Sequence, residues 1–248
     1  MSLPRFFYAD SLQSQARILL PKELAHYMQR VLRLTDQSPV VLFNGQGGEY
    51  HATLEYEGKL VYAHIGAHHA IERELPWAIS VAQGLATGDK MDWICEKAVE
   101  MGVAQLFPIA ARYSTLKLVG ERQEKRLQHW QRIAQAASEQ CGRNQIMPVH
   151  PVLTLSQLIQ QHSTKAQFIF CDPDAKDDFP TVLKQAAQSN THHWVLLIGP
   201  EGGWSEEEKE IALEAGAMGM RFGSRVLRTE TAAIALVGAI RGQLGWTD

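Results

Sequence analysis

The sequence has little cysteine, no long hydrophobic run and no excess of charge of one sign. Its three cysteines, Cys95, Cys141 and Cys171, are too far apart for a disulfide framework or a zinc motif, so we expect a reducing, cytoplasmic location. The longest apolar stretch, residues 232–240, has nine residues, whereas a membrane helix needs about 20. The N-terminus lacks the apolar core of a signal peptide. We therefore expect neither a membrane span nor secretion.

The composition excludes a disordered or fibrous chain. Of the 248 residues, 45% are hydrophobic and 21% are charged, and 24 basic against 27 acidic side chains give a net charge of −3. Residues 112–143 depart from this balance, because seven basic and three acidic residues give that segment a charge of +4. The segment is either a solvated helix face or a surface that binds phosphates.

Two hydrophobic patterns divide the chain. Short β-rich runs and glycine turns in residues 1–72 predict a small β-barrel with one helix after Pro21. From Pro76 onwards strands and helices alternate, which predicts a parallel sheet with helices on both faces. We therefore expect an α/β protein with two domains, residues 1–72 and residues 73–248.

The common signatures of nucleotide and hydrolase chemistry are missing. The sequence contains no GxxxxGK[ST], HExxH or GxSxG motif, and no GxGxxG follows the first strand of the α/β part. His68-His69 and His192-His193 are adjacent pairs, whose side chains point to opposite faces of a strand. Neither pair predicts a metal site.

One glycine-rich segment, GPEGG at residues 199–203, follows a strand predicted over residues 194–198. Ser205 and Glu208 then form a capping-box pattern at the start of a helix. Ligands of open α/β sheets bind beyond the carboxyl ends of strands, where glycines let the backbone approach a ligand closely. Taken alone, the segment is equally well explained as a turn before a helix.

A second segment, FGSRVLRTETA at residues 222–232, also follows a predicted strand. Thr229 is expected to cap a helix over residues 231–244, and Glu230 in its first turn favours the helix dipole. Glu230 therefore has a complete structural explanation. Arg225 and Arg228 are harder to explain structurally, and two guanidinium groups in a loop at a sheet edge suit an anionic partner.

Together these two segments resemble the uracil-N3 methyltransferases of ribosomal RNA, the small subunit methyltransferase E family of the SPOUT superfamily. The motifs PRFF at 4–7, RVLR at 30–33, EKAVEMGV at 96–103 and EQCGR at 139–143 are similar to that family as well, so the resemblance covers the whole chain. It implies a PUA-like, RNA-binding β-barrel and a SPOUT α/β domain whose C-terminal segment forms a trefoil knot, although chains generally avoid knots.

The resemblance also implies a cofactor, a substrate and a partner. S-adenosylmethionine would bind among three loops of the knot, at residues 170–173, 199–203 and 222–231. The protein would be a homodimer that methylates N3 of a decoding-site uridine in 16S ribosomal RNA, within the small ribosomal subunit. The reaction would need no metal. The residues that it assigns to the cofactor are Cys171, Asp172, Pro173, Ile198, Gly199, Pro200, Glu201, Gly202, Phe222, Gly223, Val226, Leu227, Thr229 and Thr231.

Catalytic and RNA-binding candidates follow from this chemistry. Methylation of uridine N3 requires loss of its proton, so Arg228, and after it Arg225, would stabilise the anion, while Glu230 or Glu201 would accept the proton. Clustered positive charge predicts that RNA phosphates are bound by Arg5, Arg30, Arg33, Arg112, Lys117 and Arg143. The apolar residues of the last helix favour a dimer, unless both of its faces are buried within one subunit.

Three other functions remain open from the sequence. The protein could be a non-catalytic RNA-binding assembly factor, which tight cofactor binding would exclude. It could be a SPOUT enzyme that methylates a ribose 2′-hydroxyl, which nucleoside mass spectrometry would distinguish from base methylation. A conventional Rossmann methyltransferase with residues 171–174 as its catalytic loop is disfavoured, because the glycine fingerprint is missing.

Overall fold

The computed structural model describes residues 3–163, 165–189 and 191–246. The chain forms two compact units, Met1–Arg73 with Ser138–Ile146, and Glu74–Ala137 with Met147–Asp248. The sequence-based division at residue 72 does not include the return of residues 138–146 to the first unit. Asn144 explains that return, because its side-chain amide donates hydrogen bonds to the Glu49 carboxylate and the Ile71 carbonyl.

The N-terminal unit is built on a five-stranded sheet. Its strands are β1 (Arg5–Phe7), β2 (Arg17–Leu19), β3 (Pro39–Phe43), β4 (Glu49–Glu57) and β5 (Leu60–His69). Their order is β1-β3-β4-β5-β2, with β1 parallel to β3 and the other pairs antiparallel. Alternate residues such as Leu54, Ala63 and Ile65 are buried, as the period of a half-covered strand requires.

The predicted helix after Pro21 is present but is not a uniform α-helix. It consists of α1 (Lys22–His26), which continues as a π-helical turn over Tyr27–Val31. Met28 is buried, whereas Tyr27 and Arg30 are exposed. Single π-helical turns occur frequently at functional sites, and this one leaves Tyr27 and Arg30 exposed for binding.

The C-terminal unit alternates strands and helices, which confirms the expected parallel sheet. Its strands β6 to β10 have the order β10-β8-β9-β6-β7, and all neighbours are parallel. The elements are β6 (Ala78–Gly84), α2 (Lys90–Glu100), β7 (Leu106–Ile109), α3 (Glu121–Cys141), α4 (Leu155–His162), β8 (Gln167–Cys171), α5 (Phe179–Ala187), β9 (His193–Ile198), α6 (Glu206–Glu214), β10 (Met218–Met220) and α7 (Thr229–Leu244).

The order of the strands creates a switch point between β6 and β9. The chain leaves β6 towards β7 on one side and leaves β9 towards β10 on the other, so the two connections diverge at the carboxyl ends of this neighbouring pair. Ligands of open α/β sheets bind at such a switch point. The central strands are almost completely buried, which accounts for their continuous apolar sequences.

Helix α7 begins earlier than its sequence predicts. The expected start at residue 231, with Thr229 as cap, is wrong, because the helix begins at Thr229 and Arg228 occupies the cap position without a side-chain cap. The Ser205–Glu208 capping box of α6 is confirmed. Threading of the C-terminal segment through a knot stays a prediction. Within the described residues, no helix is both long and apolar enough to cross a membrane.

Candidate active site

A cavity of about 650 Å³ lies in the C-terminal unit, at the carboxyl ends of β8, β9 and β10. This volume is within the usual range for small-molecule sites, about 300–1,000 Å³. The loops after these three strands form its walls, together with Lys90 of α2 and Lys209 of α6. The cavity is lined by Arg225, Arg228, Glu230 and every residue assigned above to the cofactor except the exposed Thr231.

Two glycines in the loop after β9 are required by packing within the protein. A Cβ atom at Gly202 would lie 2.7 Å from Tyr113 Cβ, and one at Gly199 would lie 3.2 Å from the Gly203 backbone. Real Cβ atoms avoid the first of these distances, so a side chain at residue 202 would displace the loop. Close packing of the loop is therefore a reason for glycine at residue 202, and close approach of the backbone to a ligand stays a prediction.

Thr229 connects the start of α7 to the other walls of the cavity. Its hydroxyl donates a hydrogen bond to the Gly199 carbonyl, with an oxygen–oxygen distance of 2.5 Å, and accepts one from Gln83 Nε2 at 2.7 Å. Gln83 and Thr229 are both buried. Thr229 therefore connects the end of β6 and the loop after β9 to the start of α7. This role differs from the helix cap that its sequence position predicts.

Glu201 is a fixed carboxylate at the edge of the cavity. Its Oε1 accepts hydrogen bonds from the Thr87 backbone N–H at 3.1 Å, from Thr87 Oγ1 at 2.8 Å and from Lys90 Nζ at 2.8 Å. Burial raises the pKa of Glu201, but the hydrogen bonds from Lys90 and Thr87 more than offset it and hold the pKa at about 2. A carboxylate with so low a pKa is a weak proton acceptor.

Glu230 is the less satisfied of the two carboxylates. Its Oε2 is buried and accepts no hydrogen bond from the described residues. Lys90 Nζ lies 3.8 Å from that oxygen. An unsatisfied buried carboxylate oxygen is costly, and this one lines a cavity that a polar ligand could enter.

The two arginines of the last loop are also without partners. Arg225 and Arg228 are exposed, line the cavity, and make no side-chain hydrogen bond or ion pair with the described residues. Trp204 adds an indole Nε1 that is buried and lacks an acceptor among the same residues. The cavity thus offers free donors to oxygen atoms of a ligand, and the Glu230 oxygen as an unsatisfied acceptor, which fits a charged nucleoside.

Sequence reasoning missed several residues of this site. Lys90, Trp204 and Lys209 line the cavity, and Lys209 forms an ion pair with Asp172. Lys90 follows β6 in the same way that the two glycine-containing segments follow β9 and β10, which is the signal that could have found it. Burial raises the pKa of the Cys171 thiol, so Cys171 is protonated and unsuited to act as a nucleophile.

The structure corrects part of the expected RNA surface. Arg5 binds Glu49 Oε2 at 2.5 Å and Asn144 Oδ1 at 2.6 Å, and its side chain is 12% exposed. Arg143 is buried, with 4% exposure. Neither side chain is displayed to a phosphate. Arg30 and Arg33 in the N-terminal unit, and Arg112 and Lys117 in the C-terminal unit, are exposed as expected.

The fold and the cavity define an α/β enzyme with a nucleoside-sized site at the carboxyl ends of parallel strands, joined to a small β unit. A family model described as the RNA methyltransferase domain matches residues 73–241, and one described as the RNA methyltransferase PUA domain matches residues 20–64. The first match covers more than half of the chain. The chain belongs to the RNA methyltransferase family, with a PUA-like unit followed by a SPOUT-type α/β unit.

Individual relatives agree with this assignment. The chain is 29% identical to ribosomal RNA small subunit methyltransferase E of Bacillus subtilis, over 89% of this chain and 88% of that protein. Among solved structures, the methyltransferase of the same name from Neisseria gonorrhoeae, bound to S-adenosyl methionine, is 29% identical with a TM-score of 0.89, and 98% of each chain is covered. A methyltransferase from Legionella pneumophila in complex with the cofactor SAM gives 29% identity, a TM-score of 0.90 and the same coverage.

Proposed function

We propose that the protein transfers a methyl group from S-adenosylmethionine to N3 of a uridine in 16S ribosomal RNA. It would act in the cytoplasm, as a homodimer, on the decoding site of the small ribosomal subunit. The observation that carries the proposal is the cavity itself, which brings Arg225, Arg228 and the unsatisfied Glu230 carboxylate together inside an RNA methyltransferase domain.

The lining of the cavity fits S-adenosylmethionine. The loops at residues 171–174, 199–204 and 222–230 would hold its adenosine and methionine parts, and the unpartnered Trp204 Nε1 supplies a free donor. When bound, this cofactor supplies a methyl group on a positively charged sulfur. The protein's own contribution is to orient the uracil, remove a proton and stabilise negative charge.

Glu230 is the proton acceptor that the geometry favours over Glu201. Glu201 Oε1 accepts three hydrogen bonds, and the pKa of Glu201 is about 2. Glu230 Oε2 accepts none from the described residues and is free to take a proton. The N3–H bond would break with its proton passing to Glu230, leaving the electron pair on N3 for the bond to the methyl carbon. The bond between that carbon and the sulfur would break, and its electron pair would stay on the sulfur as a neutral thioether. Arg228 and Arg225 would stabilise the negative charge that spreads onto the uracil oxygens.

The homodimer has less support from the structure than from the resemblance. Six apolar residues of α7 favoured it. Ala233, Leu236, Val237 and Ile240 are buried within their own unit, whereas Ile234 and Leu244 are half-buried. The alternative of burial within one subunit therefore explains most of that surface. Light scattering at micromolar concentration tests the dimer, which a monomeric mass would exclude.

Nucleoside mass spectrometry of 16S ribosomal RNA, from cells with and without the protein, tests the reaction. We expect 3-methyluridine to disappear without the protein and to return when purified protein and S-adenosylmethionine are added. Loss of a 2′-O-methyl nucleoside instead would identify a ribose methyltransferase. Unchanged nucleosides, in RNA that the protein still binds, would identify an assembly factor.

Single-turnover methylation of Glu230→Gln and Glu201→Gln tests the proton acceptor. We expect Glu230→Gln to slow the chemical step by about 10²–10⁴-fold, because a general base is removed. The defect should shrink at high pH, where uridine N3 ionises in solution. If Glu230 only stabilises the start of α7, its loss should cost about 0.3–1 kcal/mol of stability and leave the rate unchanged.

A further inference from the structure

A second, smaller cavity of about 340 Å³ lies beside the larger cavity of the candidate active site. It is formed by the start of α5 and by the loop after β10. Four residues line both cavities: Phe222, Gly223, Arg225 and Leu227. Asp178 and Phe179 line only the smaller one. The two cavities therefore have the loop at residues 222–227 as a common wall.

Backbone hydrogen bonds hold the two sides of the smaller cavity together. The Phe179 N–H donates to the Arg221 carbonyl at 3.0 Å, and the Arg221 N–H donates to the Asp177 carbonyl at 2.9 Å. The start of α5 is fixed as well, because the Asp178 carboxylate accepts from the Thr181 backbone N–H at 3.1 Å. The walls of this cavity are therefore in place without a ligand.

Two aromatic rings form the apolar part of the smaller cavity. Phe179 and Phe222 meet edge to face, with ring centroids 5.2 Å apart and an angle of 89° between the ring planes. Both side chains are half-buried, and Pro180 and Leu227 complete the apolar lining. Any nucleobase gains free energy by stacking on a ring that is open to solvent, because every base has a π-face.

Asp178 determines which kind of base fits. Hydrogen bonds from Thr181, and after them the charge of Arg221, lower the pKa of Asp178, although desolvation opposes them. The ionised carboxylate only accepts hydrogen bonds and has about four acceptor positions, so positions remain for a ligand. Adenine, cytosine and guanine carry an amino group that donates to a carboxylate, whereas uracil presents two carbonyl oxygens. The smaller cavity therefore suits a base other than the target uracil.

We propose that the smaller cavity binds the base of a nucleotide next to the target uridine, which stacks on Phe179 and donates its amino group to Asp178. This inference rests on the proposed function and adds a determinant of its RNA specificity. The target uracil must enter the larger cavity to meet the methyl group, so a base held across the shared loop belongs to a neighbouring nucleotide. Arg225 lines both cavities without a side-chain partner among the described residues, so it is available to the phosphate between the two nucleotides.

Equilibrium binding of short RNAs tests the stacking. The probes are single-stranded RNAs with one uridine, in which the uridine, its 5′ neighbour or its 3′ neighbour is replaced by an abasic residue. The protein is saturated with S-adenosylhomocysteine, so that no methyl group is transferred. We expect Phe179→Ala to weaken binding of the intact RNA about tenfold, and to have no effect on the RNA that lacks one of the two neighbouring bases. Phe179→Tyr keeps a ring and should bind like the wild type.

Asp178→Ser tests recognition of the amino group and keeps the helix cap, because serine caps a helix as well as aspartate does. At the neighbour identified above, each amino-bearing base is compared with its analogue that lacks the amino group. The wild type should prefer one amino-bearing base about tenfold, because a hydrogen bond to a charged group is lost in the analogue. Asp178→Ser should show almost no preference. A preference that survives in this variant would contradict the proposal.

Trp93→Ala is the matched control, because Trp93 is an exposed aromatic residue of the same unit and lines neither cavity. Its effect on RNA binding should be the same at every abasic position. Calorimetry should show unchanged S-adenosylmethionine affinity in Phe179→Ala and Asp178→Ser, since neither residue lines the larger cavity. A large loss of cofactor affinity would assign the smaller cavity to the cofactor and would overturn the proposal.

Three further results would also overturn the proposal. If the loss in Phe179→Ala persists at every abasic position, no base stacks on this ring. If it vanishes only when the uridine is abasic, the smaller cavity holds the methyl acceptor itself. If a dimer dissociates in Phe179→Ala, a second copy of the chain occupies the cavity. These results leave the proposed function intact wherever 3-methyluridine still forms, whereas the expected RNA binding without 3-methyluridine would contradict only the proposed function.

Discussion

A glutamate forms the centre of a charged cluster in each unit of this protein, and the two clusters differ in how completely it is satisfied. In the N-terminal unit, Glu49 is 5% exposed, and its Oε2 accepts from Arg5 at 2.5 Å, Asn144 at 3.2 Å and Arg73 at 3.5 Å. In the C-terminal unit, Glu230 Oε2 is buried and accepts no hydrogen bond from the described residues.

This difference separates a structural cluster from a reactive one. Burial raises the pKa of Glu49, but hydrogen bonds and charge from Arg5, Asn144 and Arg73 lower it further, so the carboxylate stays ionised and bound. Such a carboxylate has nothing left to offer a ligand. Glu230, with Arg225 and Arg228 beside the same cavity, keeps an oxygen that a ligand or a proton could occupy. The number of hydrogen bonds that each carboxylate already accepts therefore distinguishes the two sites, although both residues are glutamates.

The largest expected effect is at Arg228. Arg228→Ala should lower turnover about 10²–10³-fold with little change in S-adenosylmethionine affinity, because one preorganised donor to the uracil anion is lost. Arg228→Lys should recover only part of the rate, since a point charge does not reproduce the planar guanidinium. Arg221→Ala, which changes an exposed arginine outside the cavity lining, is the control. If Arg228→Ala methylates at the wild-type rate, Arg225 is the next residue to test.

At Arg5 we expect a substitution to lower stability and not RNA binding. Arg5→Ala leaves Glu49 buried without its main partner, so the free energy of unfolding should fall by about 3 kcal/mol. RNA affinity of the folded variant should not change. Arg17→Ala breaks an exposed pair with Glu55 and Glu57 and should change stability much less, as chemical denaturation would show. Weakened RNA binding at wild-type stability would restore Arg5 as an RNA contact.

The exposed arginines of the N-terminal unit should affect RNA binding moderately. Each of Arg30→Ala and Arg33→Ala should lower the slope of log affinity against log salt by about 1, because one phosphate contact and its counterion are lost. The same Arg17→Ala variant serves as the control, since that guanidinium is already paired. A slope that stays at the wild-type value in both variants would place the RNA elsewhere.

The smallest expected effect is the dependence of stability on pH, which should have different origins in the two units. Burial, and after it neighbouring positive groups, lowers the pKa of His150, His162 and His193 in the C-terminal unit below the usual 6.5. Their contribution is fully present above pH 6.5 and is lost as the pH falls through their lowered pKa values. Denaturation of His193→Gln should show a smaller loss between pH 7 and pH 5.5.

The N-terminal unit should respond only in stronger acid. The pKa of Glu49 lies below its usual 4.5, so its stabilising contribution is present above pH 4.5 and is lost as the pH falls further. Glu49→Gln should remove this acidic step and leave the histidine step intact. If His193→Gln and Glu49→Gln both altered the same pH-dependent loss of stability, the histidines and Glu49 would not act independently.

Several features of the protein follow from short stretches of its sequence. The alternation of strand-like and helix-like segments predicts the parallel sheet, and Ser205 with Glu208 predicts the start of α6. Both signals can be read because they depend on residues a few positions apart. The two glycine-containing segments likewise predict where the cavity lies. The π-helical turn at Tyr27–Val31 and the early start of α7 depend on packing and are not readable from such signals.

The roles of individual side chains were decided by tertiary structure. Arg5 meets Asn144 across 139 positions of sequence, and Lys90 meets Glu201 across 111. Whether a charged side chain is saturated or free depends on such distant partners, because hydrogen bonds and desolvation act through space. The sequence by itself therefore determined the elements and the location of the site, whereas the fold decided that Arg5 is structural, that Glu201 is fixed by hydrogen bonds and that Glu230 keeps an oxygen available for a proton.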